Sequence, residues 1–174
     1  MEIERLAVDL PYPSLSGITP DYRLCEMLFE AYSADHSELN AILQYVYHQL
    51  NFKKLEMFDI SYVYERIFVT EMEHLHLLGQ AIIKLGGDPV FIVPPPPRRT
   101  YYSTAAISYS CEPCRMLLDD IAGESRAIAE YNAMIERAGD GPLAALLRRI
   151  VMDEELHYAT LKELFGKICT KKEK

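Results

Sequence analysis

Two Glu-x-x-His pairs, Glu71/His74 and Glu154/His157, lie on separate helical stretches, each preceded by a stretch with one solitary glutamate, Glu38 and Glu124. Positions i and i+3 share a helix face. For the first pair that face also carries Ile67, Leu78 and Ile82; for the second it carries Leu147, Ile150 and Leu161. Glu124 lies among Leu117, Ile121 and Ile128, and Glu38 shares its stripe with Leu28, Ala31 and Ile42. All six ionisable residues therefore point inward. A buried carboxylate without a partner is costly, and four together repel one another. Only a fold that brings the four stripes to a common core, where the carboxylates share cations or protons, can accommodate them. That fold is a bundle of four helices.

The punctuation of the chain agrees. Thr19-Pro20 reads as a helix start, and the first helix is expected over residues 20–50. A polar break at 51–54 leads to a second helix ending at Gly86-Gly87. A third runs from Pro113 to just before Gly139, and a fourth from Pro142 to about residue 168. Residues 1–18, with Pro11, Pro13 and Gly17, read as an extended arm, leaving 19–170 as one bundle domain. Short links make the first and last helix pairs antiparallel neighbours. Between the second and third lies a long crossover whose Pro94-Pro95-Pro96-Pro97 run cannot be helical. As a stiff spacer it is expected to carry the chain along the bundle.

The two halves echo each other. Tyr45 follows Glu38 by seven residues and Tyr131 follows Glu124 by seven, as an ancient duplication would produce. These tyrosines are either packing residues or donors to the carboxylates. Asp153, just before Glu154, either orients His74 by accepting its free ring N–H or is a solvated acid. A third match, Glu73/His76, shares its face with Thr70, Gln80 and Lys84 and reads as a surface pair. Two divalent ions would balance four carboxylates, with imidazoles as neutral ligands. The alternative is a core polar network holding several shared protons.

A net charge of −8 argues against a nucleic-acid partner, since phosphate binding needs a basic face. The basic run Lys171, Lys172 and Lys174 reads as a solvated helix end. No charged segment followed by an apolar stretch opens the chain, and no apolar run approaches the ~18 residues of a membrane span. A cytoplasmic protein is expected. Its four cysteines are then expected as thiols rather than a disulfide framework. Cys111 and Cys114 stand where the third helix begins. They read as a redox pair passing electrons from a reductant, as half of a four-thiolate metal site completed across a dimer, or as incidental thiols.

On the stretches Ser37-Glu38 to Tyr45, Glu71-Met72-Glu73-His74, Ile121-Ala122-Gly123-Glu124 to Tyr131, and Asp153-Glu154-Glu155-Leu156-His157, the sequence resembles the ferritin-like diiron-carboxylate superfamily. The likeness is to the rubrerythrin and bacterioferritin group and the related manganese catalases, and it spans residues 20–168. It implies an all-α, ferritin-like four-helix bundle with one long crossover and a dinuclear site of two iron or two manganese ions per chain. Glu71 and Glu154 would each bind one ion with their own histidine, and Glu38 and Glu124 would bridge or chelate between the two. The implied activity is a non-haem oxidoreductase acting on peroxide or O2, of peroxidase, ferroxidase or catalase type. Metal sequestration without turnover is the alternative, and a dimerising scaffold stabilised by its metals a third reading. Two departures stand out: the extra glutamate of rubrerythrins is Ala127 here, and only a few residues follow the fourth helix, which speaks against cage storage. A homodimer is expected, with Tyr62, Tyr64, Tyr101, Tyr102 and Tyr109 available to cover an interface.

Overall fold

A computed structural model describes residues 4–93 and 100–170. Among the described residues there are five α-helices: α1 (Tyr22–Ser33), α2 (Glu38–Lys54), α3 (Phe58–Lys84), α4 (Pro113–Ala138) and α5 (Pro142–Cys169). A two-stranded ribbon, β1 (Ile92–Val93) and β2 (Thr100–Tyr101), and a 3-10 turn at Thr104–Ala106 lie in the crossover.

The expected first helix is two. It starts at Asp21, whose carboxylate caps the Arg23 and Leu24 amides, rather than at Thr19-Pro20. At Ala34 the backbone turns extended, and Ser37 caps a new helix by accepting from the Asn40 amide. The Ser33 hydroxyl bonds the backbone of Ile92 at 2.7 and 3.2 Å. A local cap at Ser37 and a distant bond from Ser33 thus mark the break, which pattern reasoning on apolar spacing could not register. The break makes Glu38 the first residue of α2, where the helix dipole favours its negative charge. α2 then continues to Lys54, past the expected end, before Glu56 makes the turn with φ 58°. α3 stops at Gly86, which takes φ 92°, a conformation open to glycine.

α2/α3 and α4/α5 form two antiparallel hairpins joined by the crossover. The Pro94–Pro97 run lies outside the described residues. Its flanks are paired with each other, Val93 opposite Thr100 and Ile92 opposite Tyr101. The segment from Tyr102 onward descends α2: Tyr102 donates to Asn40 Oδ1 at 2.9 Å, the Ser108 amide to Gln44 Oε1 at 2.7 Å, and Tyr109 packs edge-on against Tyr47.

Two apolar clusters fill the bundle. One joins Leu28, Leu78, Ile82, Met134, Leu146 and Ile150; the other joins Phe52, Tyr64, Ile67, Met116, Leu117 and Leu161. The ionisable residues named above sit between these dry plugs. Residues 4–18 form no helix and thread between α3 and α5. The Leu6 amide bonds Arg66 O, and Arg149 bonds Leu10 O at 3.0 Å and Val8 O at 2.7 Å.

The cysteines depart from expectation. Cys114 is joined to Cys169 by a disulfide, Cα–Cα 5.7 Å, pinning the start of α4 to the end of α5. Cys111 is exposed and outside any disulfide. The electron-relay reading of Cys111 with Cys114 therefore loses its pairing: residues 55 apart in sequence met through the hairpin, which spacing alone could not reveal. Among the described residues no helix is long and apolar enough to cross a membrane.

One stability prediction follows from the helices. A Cβ on Gly166, within α5, would meet nothing within 4 Å. Gly166→Ala is expected to raise unfolding free energy by about 0.5–1 kcal/mol, read from urea denaturation, because alanine loses less backbone entropy in a helix.

Candidate metal centre

The bundle brings all six sequence-predicted residues to one point. α2 supplies Glu38, α3 Glu71 and His74, α4 Glu124, and α5 Glu154 and His157. None is more than 5 % exposed. The third Glu-x-x-His match stays at the surface as read, with exposed His76 bonded to Gln80 and Glu73 facing Arg5 at 3.7 Å.

The geometry has a two-fold plan. Glu71 sends Oε2 to His74 Nδ1 at 3.0 Å and Oε1 to His157 Nδ1 at 2.8 Å. Glu154 does the converse, Oε1 lying 3.0 Å from His74 Nδ1 and Oε2 3.6 Å from His157 Nδ1. Glu38 approaches only His74 and Glu124 only His157, each at 3.7 Å. Ligand-type atoms thus gather in two overlapping groups: Glu38, Glu71, His74 and Glu154; and Glu71, Glu124, Glu154 and His157. The shared carboxylates are Glu71 and Glu154, which reverses the division of roles implied by the resemblance. Glu71 and Glu154 lie between the imidazoles, whereas Glu38 and Glu124 stand at the two outer ends.

The tyrosines cross the bundle. Tyr45 of α2 donates to Glu124 of α4, and Tyr131 of α4 donates to Glu38 of α2. Burial first, then the neighbouring carboxylates, pushes both phenols far above their ordinary pKa, so they remain donors. The seven-residue echo therefore encodes a reciprocal pair of orienting bonds.

The outward imidazole nitrogens are held differently. His74 Nε2 meets Asp153 Oδ2 at 3.1 Å, the first of the two readings the sequence left open for Asp153. Asp153 also accepts from the Val8 amide and Tyr12 Oη, both at 2.7 Å, and pairs with Arg149. Burial works against this carboxylate, but bonds from His74, Arg149, Tyr12 and Val8 outweigh it and hold its pKa below the ordinary value. The matching position on α3 is Thr70, whose hydroxyl donates to Leu6 O at 3.1 Å and makes no bond to His157. His157 Nε2 instead meets that same Leu6 carbonyl at 2.8 Å. Both acceptors place the ring proton on Nε2 and leave Nδ1 facing the carboxylates. Leu6, Tyr12 and Arg149 carried no signal in the sequence, because a backbone carbonyl from an extended arm has no motif.

A second buried network was also missed. Asp120, one turn before Glu124, accepts from Tyr64 Oη and Gln44 Nε2 at 2.7 Å each and meets His48 Nδ1 at 2.7 Å. His48 Nε2 bonds Ser108 O at 3.1 Å. Tyr64 stands edge-on to Tyr45, ring centroids 5.6 Å apart, so this network braces the tyrosine behind Glu124. Asp120 falls on the buried stripe of α4, and that position was its one available cue.

The six residues suit a pair of cations. Glu71 Oε1, Glu154 Oε1 and His157 Nδ1 are buried and make no hydrogen bond of good geometry, although Glu71 Oε1 lies 2.8 Å from His157 Nδ1 and Glu154 Oε1 3.0 Å from His74 Nδ1. These atoms belong to the two groups above, as ligand atoms would. Without cations the charge must be met by protons. Burial, then Glu71 and Glu154, raises the Glu38 pKa well above its ordinary value; burial, then Glu154 and Glu71, does the same for Glu124. Burial opposes protonation of His157, but the carboxylates of Glu71 and Glu154 overcome it and push its pKa up to about 10. The oxygen- and imidazole-rich set fits iron or manganese equally.

Because Asp153 fixes the His74 ring, Asp153→Asn is expected to weaken metal affinity about 10–100-fold, measured by titration against a competing chelator.

A comparison with curated proteins finds no match. Among solved structures, KatB, a manganese catalase from Anabaena, is similar with a TM-score of 0.81 at 19% identity, covering 96% of this chain and 83% of that one. The bacterioferritin of Desulfovibrio desulfuricans has a TM-score of 0.71 at 21% identity, covering 84% and 80%. That of Rhodobacter capsulatus has a TM-score of 0.71 at 23%, covering 86% and 87%. These likenesses carry the fold. The profile of the ferritin-like domain matches residues 34–170, which take in all six convergent residues and their tyrosines, and the chain belongs to the ferritin-like family.

Proposed function

We propose that the chain is a dimetal carboxylate oxidoreductase that holds two iron or two manganese ions and acts on peroxide or O2. The observation that carries the reading is the placement of Glu71 and Glu154, each directing one oxygen to each imidazole, so that two ligand sets lie side by side. Two adjacent redox ions supply the two electrons that an O–O bond takes up on cleavage. The chain's own residues supply the rest. Asp153 and Leu6 O keep the imidazole protons on Nε2, Tyr131 and Tyr45 orient Glu38 and Glu124, and the two apolar clusters exclude water from either side.

The test is peroxide consumption by protein loaded with either metal. Evolution of O2 without a reductant marks a catalase, and consumption that requires a reductant marks a peroxidase. The greater structural likeness to a manganese catalase makes manganese the first metal to load. Protein that retains two ions per chain yet consumes neither peroxide nor O2 overturns the reading. The likeness to bacterioferritins favours one alternative, sequestration: oxidation of many Fe(II) per chain with retention of the product would establish it. The homodimer and cytoplasmic location remain part of this proposal.

A further inference from the structure

The centre is reached through a cleft between α2 and α4 that is larger than peroxide or O2 needs. It encloses about 430 Å³ and ends on Glu38, Glu71, Glu124 and Glu154. Pockets that bury organic ligands span roughly 300–1,000 Å³, whereas one water occupies about 30 Å³ in the liquid. A two-oxygen molecule would leave most of this space to solvent.

The walls indicate what fits. They include small and apolar residues: Gly123 and Ala127 on α4, Ala41 on α2, and Ile107 from the crossover. A Cβ on Gly123 would meet nothing within 4 Å. The polar side chains along the α2 wall are already engaged. Asn40 Oδ1 accepts from Tyr102, and Gln44 donates to Asp120 and accepts from the Ser108 amide. At the rim Arg115 is paired with Asp119 at 2.8 Å. The lining also includes exposed His36 and Arg126 and half-buried Glu130, so an occupant meets charged groups as well as small and apolar ones above a floor of carboxylates.

Resting on the oxidoreductase reading above, we propose that the site takes alkyl or aryl hydroperoxides, with the hydroperoxy end at the carboxylate floor and the organic body between Gly123/Ala127 and Ala41/Ile107. The reaction breaks the O–O bond: ROOH and a dithiol give ROH, water and a disulfide. The dithiol is oxidised by two electrons and the peroxide reduced by two. One oxygen leaves as ROH and the other as water.

The experiment has two arms. In the first, metal-free protein is titrated with 2-phenyl-2-propanol, the inert alcohol product of cumene hydroperoxide, and binding is followed by tyrosine fluorescence. Saturable binding is expected for the wild type, weakened at least tenfold by Gly123→Phe and by Ala127→Phe, and unaltered by Gly166→Ala. In the second, metal-loaded protein is assayed with both peroxides and dithiothreitol. The ratio of kcat/KM for cumene hydroperoxide to that for hydrogen peroxide is expected to fall at least tenfold in Gly123→Phe. Absence of alcohol binding, or binding indifferent to both wall substitutions, overturns the cleft assignment. Protein that turns over hydrogen peroxide without binding the alcohol sinks this proposal alone. Protein that binds the alcohol but retains no metal sinks the oxidoreductase reading, and the hydroperoxide assignment with it.

Discussion

Glu71→Ala and Glu154→Ala are each expected to reduce metal content from two ions per chain to none, whereas Glu38→Ala and Glu124→Ala should each leave one. Glu71 and Glu154 belong to both groups of ligand atoms, so removing either deprives both positions at once. Glu38 belongs only to the His74 group and Glu124 only to the His157 group. Loss of a partner that merely orients a ligand costs about 10–100-fold in affinity, so loss of the ligand itself should exceed that at each position it serves. The arrangement implied by the resemblance, with Glu38 and Glu124 between the ions, makes the opposite forecast: two lost in Glu38→Ala and one in Glu71→Ala. Elemental mass spectrometry on loaded, desalted variants separates the two, with circular dichroism confirming that each variant remains helical. One ion retained by Glu71→Ala would overturn the shared-carboxylate geometry.

What could be read in advance followed from the physics each residue obeys. The six ionisable residues were legible because helical periodicity places them on apolar stripes, and burying charge narrows the possible folds to those that gather it. The Tyr45 and Tyr131 echo was visible too, although only the structure shows that each tyrosine reaches across to the other half's glutamate. The all-α bundle with one long crossover followed from helix starts and stops. The break at 34–37 did not, because it is set by the Ser37 cap and by Ser33 bonding the distant Ile92 backbone, within a stretch whose apolar spacing still looks continuous. Contacts supplied by irregular backbone were out of reach: Leu6 O on His157, Val8 on Asp153, and Ser108 on His48. The Cys114–Cys169 disulfide was missed for a related reason, since it depends on where two helix ends meet rather than on spacing. The division between shared and terminal carboxylates needed atomic positions, because all four glutamates look alike on a helical wheel.

Removing the ions is expected to make stability fall as pH rises. In the metal-free protein Glu38 and Glu124 have pKa values well above the ordinary 4.5, through burial and the neighbouring carboxylates. His74 is held well above the ordinary 6.5: burial opposes this, but Asp153, Glu154, Glu38 and Glu71 prevail. His157 reaches about 10. All four groups have folded values above their unfolded ones. Their stabilising contribution is therefore fully present below the unfolded pKa and is lost as pH rises through the folded value, for His157 through about 10. Glu71, Glu154 and Asp153 run the other way, with burial outweighed by their bonding partners and their values lowered. Their contribution is lost only as pH falls below the ordinary carboxylate range, which places the metal-free maximum near pH 5. Above it the folded chain holds more protons than the unfolded one, and each extra proton changes the folding equilibrium about tenfold per pH unit. Two divalent ions reverse this, because they replace two carboxyl protons and two imidazolium protons. Loading should release up to four protons per chain and tighten as pH rises. Urea denaturation at pH 5.5, 7 and 8.5, with chelator and after loading, reads the sign directly, and calorimetry in buffers of different ionisation enthalpy counts the protons. A metal-free protein that grows more stable towards pH 8.5 would show that the core is not held together by protons, and a loading reaction that releases none would show that the ions do not occupy their place.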